Sequence, residues 1–453
     1  MHDPLKSINP YTGETLSTYP QLSDEIVNHR LERSDKRFRK WSTTRMEDRV
    51  ALIVKLGEAI KESKRKLAEL ATLEMGKPLS QSIAEVEKCA WLCSHYAENA
   101  GNYLEDQKID TDADESWVAY EPLGVILGVM PWNFPYWQVM RFAAPTLLAG
   151  NTVAVKHASN TTGCVNALAD VFERAGFEEG CFEVLIVEGS RVESIIGSEF
   201  VKAVSLTGSE KAGASVAAAA GKHLKKTVLE LGGSNAFIVL ADADLDEAAK
   251  IGVKARIQNN GQSCIAAKRF LVEDSVYDDF MERFLEKWEK LKVGDPMETG
   301  TDVGPLARLD LAETLDEQMR RSMDQGAKLL RGGNRRGPMF EPTILEGVQP
   351  GMAAFDEETF GPLAAFTRIK DAEEAVELNN RSRYGLGASI FTADLERGKR
   401  LGRSIRDGAV FFNEMVKSDP RLPFGGTKIS GYGRELGSFG IKEFTNVKTY
   451  YMV

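Results

Sequence analysis

The sequence predicts an α/β protein with doubly wound parallel sheets, and three observations predict it. Short β-branched runs alternate with helical patterns across residues 151–231, the rhythm of βαβ units. A second alternation of the same kind begins at Asn235 and continues to about Arg406. At 453 residues the chain is too long for one ordinary core, so two domains or more are expected.

Taken in order, residues 1–20 are polar, with turn signals at Asn9-Pro10 and Thr12-Gly13. From Ser23 to about Ser82 the pattern is helical, with apolar residues three or four apart (Val50, Leu52, Ile53, Leu56, Ile60, Leu67, Leu70). Ile83 to Leu104 reads as a further helix. Val118 to Val129 reads as strand, a turn at Glu121-Pro122-Leu123-Gly124, and strand. In the first alternating unit, strands are expected at Asn151–Lys156, Phe182–Val187, Lys202–Leu206 and Lys226–Leu231. Helices between them cover Thr162–Ala175, Val192–Ile196 and the Ala-rich Ala212–Ala220. In the second unit, Asn235–Leu240 is a strand and Asp244 to about Gln258 a helix. Strand 269–273, helices 276–291 and 308–325 and strand 327–331 follow. Val410–Phe412 and Val447–Met452 are strand-like and flank a Gly-rich run at 423–431.

Composition narrows the function. A hydrophobic fraction of 43% and a charged fraction of 27% are those of a soluble globular protein. Lys and Arg number 57 against 67 Asp and Glu, a net charge of −10, which argues against nucleic acid as the main partner. Five cysteines, odd in number and scattered, make no disulfide framework and suit a reducing cytosol. Cys89 and Cys93 share a helical face without a His or Cys spaced to complete a metal site. No apolar run approaches the ~20 residues of a membrane helix, and Met1–Pro10 contains no signal-peptide core. A cytoplasmic protein without metal or membrane partner is expected.

Four stretches carry chemistry. Asn259-Asn260-Gly261-Gln262-Ser263-Cys264 places a thiol on a loop between a helix and a strand, where a substrate can reach it; a free cysteine is also commonly a small buried hydrophobe. Leu229-Glu230-Leu231-Gly232-Gly233 puts a carboxylate at the C-terminal end of a parallel strand, where such sheets place ligands. Taken alone, it reads more readily as a surface Glu at a strand end. In Pro131-Trp132-Asn133-Phe134-Pro135 the Asn amide could donate to a developing oxyanion or form a turn with its own backbone. Gly208-Ser209, between a strand and a helix, suits a phosphate at a helix N-terminus, or Ser209 is simply the N-cap.

Together with Glu358-Thr359-Phe360-Gly361-Pro362 and the Pro-Phe-Gly-Gly-x-Lys-x-Ser-Gly run at 423–431, these stretches in this order resemble the aldehyde dehydrogenase superfamily. The resemblance covers nearly the whole chain. It implies a Rossmann-like cofactor-binding domain at 1–117 and 130–231, a catalytic domain at 232–422, and an oligomerisation arm made of a hairpin at 118–129 and the stretch 432–453. It implies Cys264 as nucleophile, with the Asn133 amide and the Cys264 N–H holding the oxyanion, and Glu230 activating water to hydrolyse the thioester. Trp132, Lys156, Ser159, Gly208, Ser209 and Leu231 would contact the dinucleotide. Glu358 would hold the nicotinamide ribose, with Phe360 packed nearby. Dimers or tetramers are implied.

Two departures direct the finer reading. NAD-preferring relatives usually carry Glu where Ser159 stands here, in Lys156-His157-Ala158-Ser159. A carboxylate would repel a 2′-phosphate, whereas a hydroxyl donates to it and Lys156 can pair with it, so NADP is expected in preference to NAD. Arg141, eight residues after Asn133, matches a carboxylate-binding arginine of succinate-semialdehyde dehydrogenases, and Ser418 resembles their hydroxyl contact to the same group. Their second arginine, six residues before the nucleophile, is Gln258 here. The run Trp137–Arg141 with Lys156-His157-Ala158 is most similar to the bacterial Sad type. The alternatives are a broad-specificity aliphatic or aromatic aldehyde dehydrogenase, a glutarate-semialdehyde dehydrogenase, an acylating enzyme that would not need Glu230, and an inactive structural protein that would be expected to have lost Cys264, Glu230 or Asn133. With Ala266 two residues after the nucleophile, no reversible disulfide can shut the site.

Overall fold

Two twisted, mostly parallel sheets carry the chain in this computed structural model, which describes residues 3–453. The first has six strands in the order Gly431–Tyr432, Lys226–Glu230, Val201–Thr207, Val125–Met130, Thr152–His157, Phe182–Val184, all parallel except the first. The second has seven: Lys328–Arg331, Thr343–Glu346, Leu363–Ile369, Ala267–Glu273, Asn235–Val239, Ala388–Phe391, Val410–Phe412, again parallel except the first. The central strands are buried along their whole length, as in Thr152–His157 and Asn235–Val239, which is why they read as continuous β-branched runs rather than alternating ones. The chain passes from the first sheet to the second across Leu231–Ser234 and returns to the first at Gly431.

The long N-terminal helical pattern resolves into Asp24–Trp41, Met46–Glu62 and Lys64–Met75, followed by Leu79–Tyr103. Ser23 caps the first by accepting from the Ile26 N–H. Gly76 ends the third in a left-handed conformation (φ 77°). The last three of these helices and Trp137–Leu148 bury their apolar faces against one side of the first sheet in a continuous core, while Val27 and Leu31 of the first helix pack with Val125, Leu127 and Val204 in a separate one. Residues 5–19, expected only as a polar stretch with turns, form a hairpin of Leu5–Ile8 and Thr15–Tyr19. Its turn is set by Asn9, whose side-chain oxygen accepts from the Tyr11 N–H at 2.9 Å.

The expected arm differs in both of its parts. Val118–Val129 is not a hairpin. Glu115–Pro122 pairs antiparallel with Thr445–Met452 over eight residues, while Val125–Met130 lies at the centre of the first sheet between Thr152–His157 and Val201–Thr207. The reason is burial. Nearly every side chain of Val125–Met130 is covered, so both its faces need neighbours. The Asn151 side-chain oxygen accepts from the Leu123 and Gly124 N–H groups (2.7 and 3.0 Å) and separates the two strands. Nor is 432–453 arm throughout. Gly431–Tyr432 pairs with Glu230 and Leu229, and Glu435 is buried in the interior, so only Thr445–Met452 joins the three-stranded sheet.

Candidate active site

Every chemical motif of the first sheet emerges from the C-terminal end of a parallel strand. Val125–Met130 leads into Pro131–Pro135, Thr152–His157 into Ser159, Val201–Thr207 into Gly208-Ser209, and Lys226–Glu230 into Leu231-Gly232-Gly233. Facing this edge are loops that precede strands of the second sheet: Cys264 before Ala267–Glu273, and Glu358-Thr359-Phe360 before Leu363–Ile369.

The loop that leads to Cys264 is held in an uncommon backbone. Asn259, Asn260 and Gly261 are consecutive left-handed residues (φ 56°, 56° and 75°). Asn259 Nδ2 donates to the Asn133 carbonyl (2.6 Å) and to the Gln262 carbonyl (3.0 Å), which joins the two loops. A side chain on Gly261 would lie 2.3 Å from the Gly361 backbone, so only glycine fits. Asn133 Nδ2 donates to the Gln262 carbonyl at 3.1 Å, and Asn133 Oδ1 is buried without a partner. One amide proton thus fixes the orientation, and the other remains for a ligand.

Burial pushes the Cys264 thiol up to about 11, while Lys268 and Arg141 pull it down. Glu230, expected either at a ligand site or on the surface, is buried, and neither carboxylate oxygen has a partner. Burial first, and the nearby Glu435 carboxylate second, raise its pKa well above the usual range. The 423–431 run folds over it: Gly425 (φ 157°) has no room for a side chain, because a Cβ would lie 2.7 Å from Glu230 Oε1.

Glu358 accepts from the Gly233 N–H (3.0 Å) and from Lys268 Nζ (3.2 Å). Lys268 is fully buried and also donates to the Ser263 and Cys264 carbonyls (2.8 Å each), so one ammonium ties the Cys264 loop to Glu358. Burial lowers its pKa to about 8. The Phe360 ring meets Trp132 edge-on, with centroids 5.7 Å apart. Leu231 is buried against Gly213, and Ser209 caps the helix Glu210–Lys222 by accepting from the Ala212 N–H at 3.3 Å. The Gly208 N–H donates to the Glu230 carbonyl at 3.0 Å.

A cavity of about 840 Å³ is lined by Trp132, Lys156 and Ser159 together with Lys6, Asn9 and Arg308, and no carboxylate lines it. This chemistry fits an anionic dinucleotide with an additional phosphate on its ribose. A second cavity of about 520 Å³ opens beside Cys264, lined by Phe134, Trp137, Arg141, Gln258, Phe424 and Ser418 among others. Arg141 is the fifth residue of the helix Trp137–Leu148 and is buried. Its Nε pairs with Glu435, Nη2 donates to the Thr207 hydroxyl at 3.3 Å, and the guanidinium lies 4.6 Å from the Phe424 ring centroid. The Ser418 hydroxyl accepts from Trp137 Nε1 at 3.2 Å. Cys264 lines only the second cavity, Trp132, Lys156 and Ser159 only the first, and Glu230, Glu358 and Phe360 line neither.

Sequence reasoning missed four residues. Lys268 and Glu435 are partners of residues far away in the chain, and no local pattern marks them. Glu85 accepts from the Tyr136 and Trp137 N–H groups (2.8 and 2.9 Å) at the start of the helix carrying Arg141, and pairs with buried Lys77. His157, noted in the sequence only as part of the run Lys156-His157-Ala158, bridges two loops. Its Nε2–H donates to the Pro135 carbonyl (3.0 Å), and its Nδ1 accepts from the Thr161 hydroxyl (2.9 Å). Burial lowers its pKa to about 4, so it stays a neutral strut.

The sequence pattern of the aldehyde dehydrogenase family matches residues 2–450. Over 99% of both chains the protein is 48% identical to a probable succinate-semialdehyde dehydrogenase (NADP+) of Synechocystis. It is 45% identical to the succinate semialdehyde dehydrogenase (NAD(P)+) Sad of Escherichia coli, across 98% of this chain and 96% of that one. Among solved structures, the succinic semialdehyde dehydrogenase of Streptococcus pyogenes in complex with NADP+ superposes with a TM-score of 0.97 at 37% identity, covering 99% of each chain. The chain belongs to the aldehyde dehydrogenase family.

Proposed function

We propose that the protein oxidises succinic semialdehyde to succinate with NADP, NAD serving as a less favoured acceptor. The single observation that carries this reading is the cavity beside Cys264, whose lining includes Arg141 and Ser418, a cation and a hydroxyl suited to a remote carboxylate. Full-length similarity to enzymes named for that substrate supports it.

In this reading Cys264 loses its proton to solvent water and its sulfur adds as thiolate to the aldehyde carbon, forming a thiohemiacetal. The free amide proton of Asn133 and the backbone N–H of Cys264 hold the resulting oxyanion. When bound, the nicotinamide supplies the acceptor for the hydride whose loss converts the thiohemiacetal to a thioester. Glu230 then takes a proton from water as the water attacks the thioester carbonyl, and Cys264 leaves as thiolate. Lys156 and Ser159 would hold the ribose phosphate, and Glu358 would hold the ribose hydroxyls. Lys268 keeps the Cys264 carbonyl in place during both steps. The protein acts as a homo-oligomer, dimer or tetramer, in the cytoplasm.

The test is kcat/KM for succinic semialdehyde and for butanal, each with NADP and with NAD, on the wild type and on Arg141→Ala. The expected outcome is a strong preference for the semialdehyde with NADP. Arg141→Ala should raise KM for the semialdehyde about tenfold or more relative to butanal, the loss of one charge-assisted contact. Equal effects on the two aldehydes would remove the carboxylate reading. A tenfold preference for NAD would remove the cofactor reading.

A further inference from the structure

Besides Arg141, three lysines line the cavity beside Cys264; Lys250 and Lys254 are exposed, whereas Lys88 is partly buried and is paired with no carboxylate among the described residues. Lys88 lies on the helix Leu79–Tyr103 and lines the cavity together with Arg141, Ser418 and Cys264. Its ammonium sits 4.1 Å from the Trp137 ring centroid. That contact fixes the side chain without consuming any of the three N–H donors. Among the described residues it forms no ion pair, and the two carboxylates that line the cavity are already engaged. Glu85 pairs with Lys77 and accepts from the Tyr136 and Trp137 N–H groups, and Asp302 accepts from the Lys292 N–H at 2.9 Å.

Burial, and then the neighbouring Arg141, lower the Lys88 ammonium to about 8, so this is a cation held where a bound anion would relieve both effects. Arg141 cannot supply the whole contact. Its Nε is committed to Glu435 and one terminal nitrogen to Thr207, which leaves only part of the guanidinium fork for a ligand. Gln258 lines the same cavity and contributes no charge. The Ser418 hydroxyl accepts from Trp137 and so has its own proton to donate.

We propose that Lys88 is a specificity-determining residue whose ammonium, together with Arg141 and the Ser418 hydroxyl, holds the carboxylate at the remote end of a semialdehyde substrate. The carboxylate then meets donors from three elements that converge on one cavity: the helix carrying Lys88, the helix carrying Arg141, and the loop carrying Ser418. The proposal rests on the substrate reading above.

The test uses the full-length enzyme with NADP. Lys88→Met keeps the aliphatic stem on Trp137 and removes the charge, Lys88→Gln removes it with a polar end, and Lys88→Arg retains it. In Lys88→Met and Lys88→Gln, the ratio of kcat/KM for succinic semialdehyde to that for butanal is expected to fall about tenfold or more, chiefly through KM. In Lys88→Arg the ratio stays within about threefold of the wild type. Succinate inhibition of butanal oxidation gives a second readout, with Ki about tenfold weaker in the uncharged variants. If the wild type prefers the semialdehyde and the uncharged variants keep both that ratio and the succinate Ki, the Lys88 proposal is overturned while the substrate reading stands. A wild type that does not prefer the semialdehyde overturns both.

Discussion

At the scale of single residues, the site is a set of ionisable groups held away from their working protonation states. The Cys264 thiol, pushed up to about 11 by burial, is protonated at neutral pH in the enzyme without cofactor. The thiolate fraction grows with pH up to that value. The rate of Cys264 alkylation by iodoacetamide should therefore rise about tenfold per pH unit between pH 7 and 9, without a plateau. Activity loss followed in parallel with mass spectrometry checks this, and a plateau below pH 8 would show a thiolate already formed. The sequence singles out Cys264, Asn133 and Glu230 because each stands in a short motif with Gly or Pro neighbours that only a special backbone requires. It does not single out Lys268, Glu435 and Lys88, because what gives each a role is a partner brought by another part of the fold. The choice between a surface and a ligand-site reading of Glu230 likewise turned on the 423–431 run that covers it.

At the scale of elements, the helix Trp137–Leu148 does most of the positioning. It carries Arg141, and the Asn133 loop leads into it. Its first N–H groups are satisfied by Glu85, a carboxylate at a helix N-terminus. Glu85 also neutralises Lys77, which is fully buried and has its ammonium 4.0 Å from the Phe134 ring centroid. Replacing Glu85 by Ala leaves a buried ammonium unpaired and should cost roughly 3–5 kcal/mol. Denaturant unfolding of Glu85→Ala beside the double variant Lys77→Met with Glu85→Leu measures this, and the double variant should lose less. The same scale explains the misread hairpin. Strand–turn–strand is a local signal, and it correctly found two strands at 118–129. Which neighbour each strand takes is decided by how many of its faces are buried, and the turn residues carry no information about that.

At the scale of the whole molecule, two sheets present opposite ends to one another, so that loops after the strands of one meet loops before the strands of the other. This needs both alternating units, and both were visible in the sequence. The return of the chain to the first sheet at Gly431–Tyr432 was not, because a two-residue strand has no periodicity to read. No helix among the described residues is long and apolar enough to cross a membrane. The strand Thr445–Met452 leaves Val447, Tyr451 and Met452 about half exposed or more, an apolar edge suited to a second copy. Removing residues 445–453 should lower the mass measured by light scattering from that of an oligomer to that of a smaller species. An unchanged mass would place the contact elsewhere.

The loop that carries the thiol has one more property, which concerns how the protein ages. Asn260 precedes Gly261, a dipeptide prone to losing its side-chain amide when the glycine nitrogen is free to attack the side-chain carbon. In the folded chain that amide is immobilised. Its nitrogen donates to the Gly76 and Pro305 carbonyls and its oxygen accepts from the Gly304 N–H, each at 2.8 Å. Deamidation is therefore confined to molecules that have opened at this point. There it would put a negative charge where a buried NH2 group had bridged two carbonyls, and the loop could not close as before. An excursion that begins as a reversible unfolding thus becomes, with time spent unfolded, a permanent loss of the reacting site.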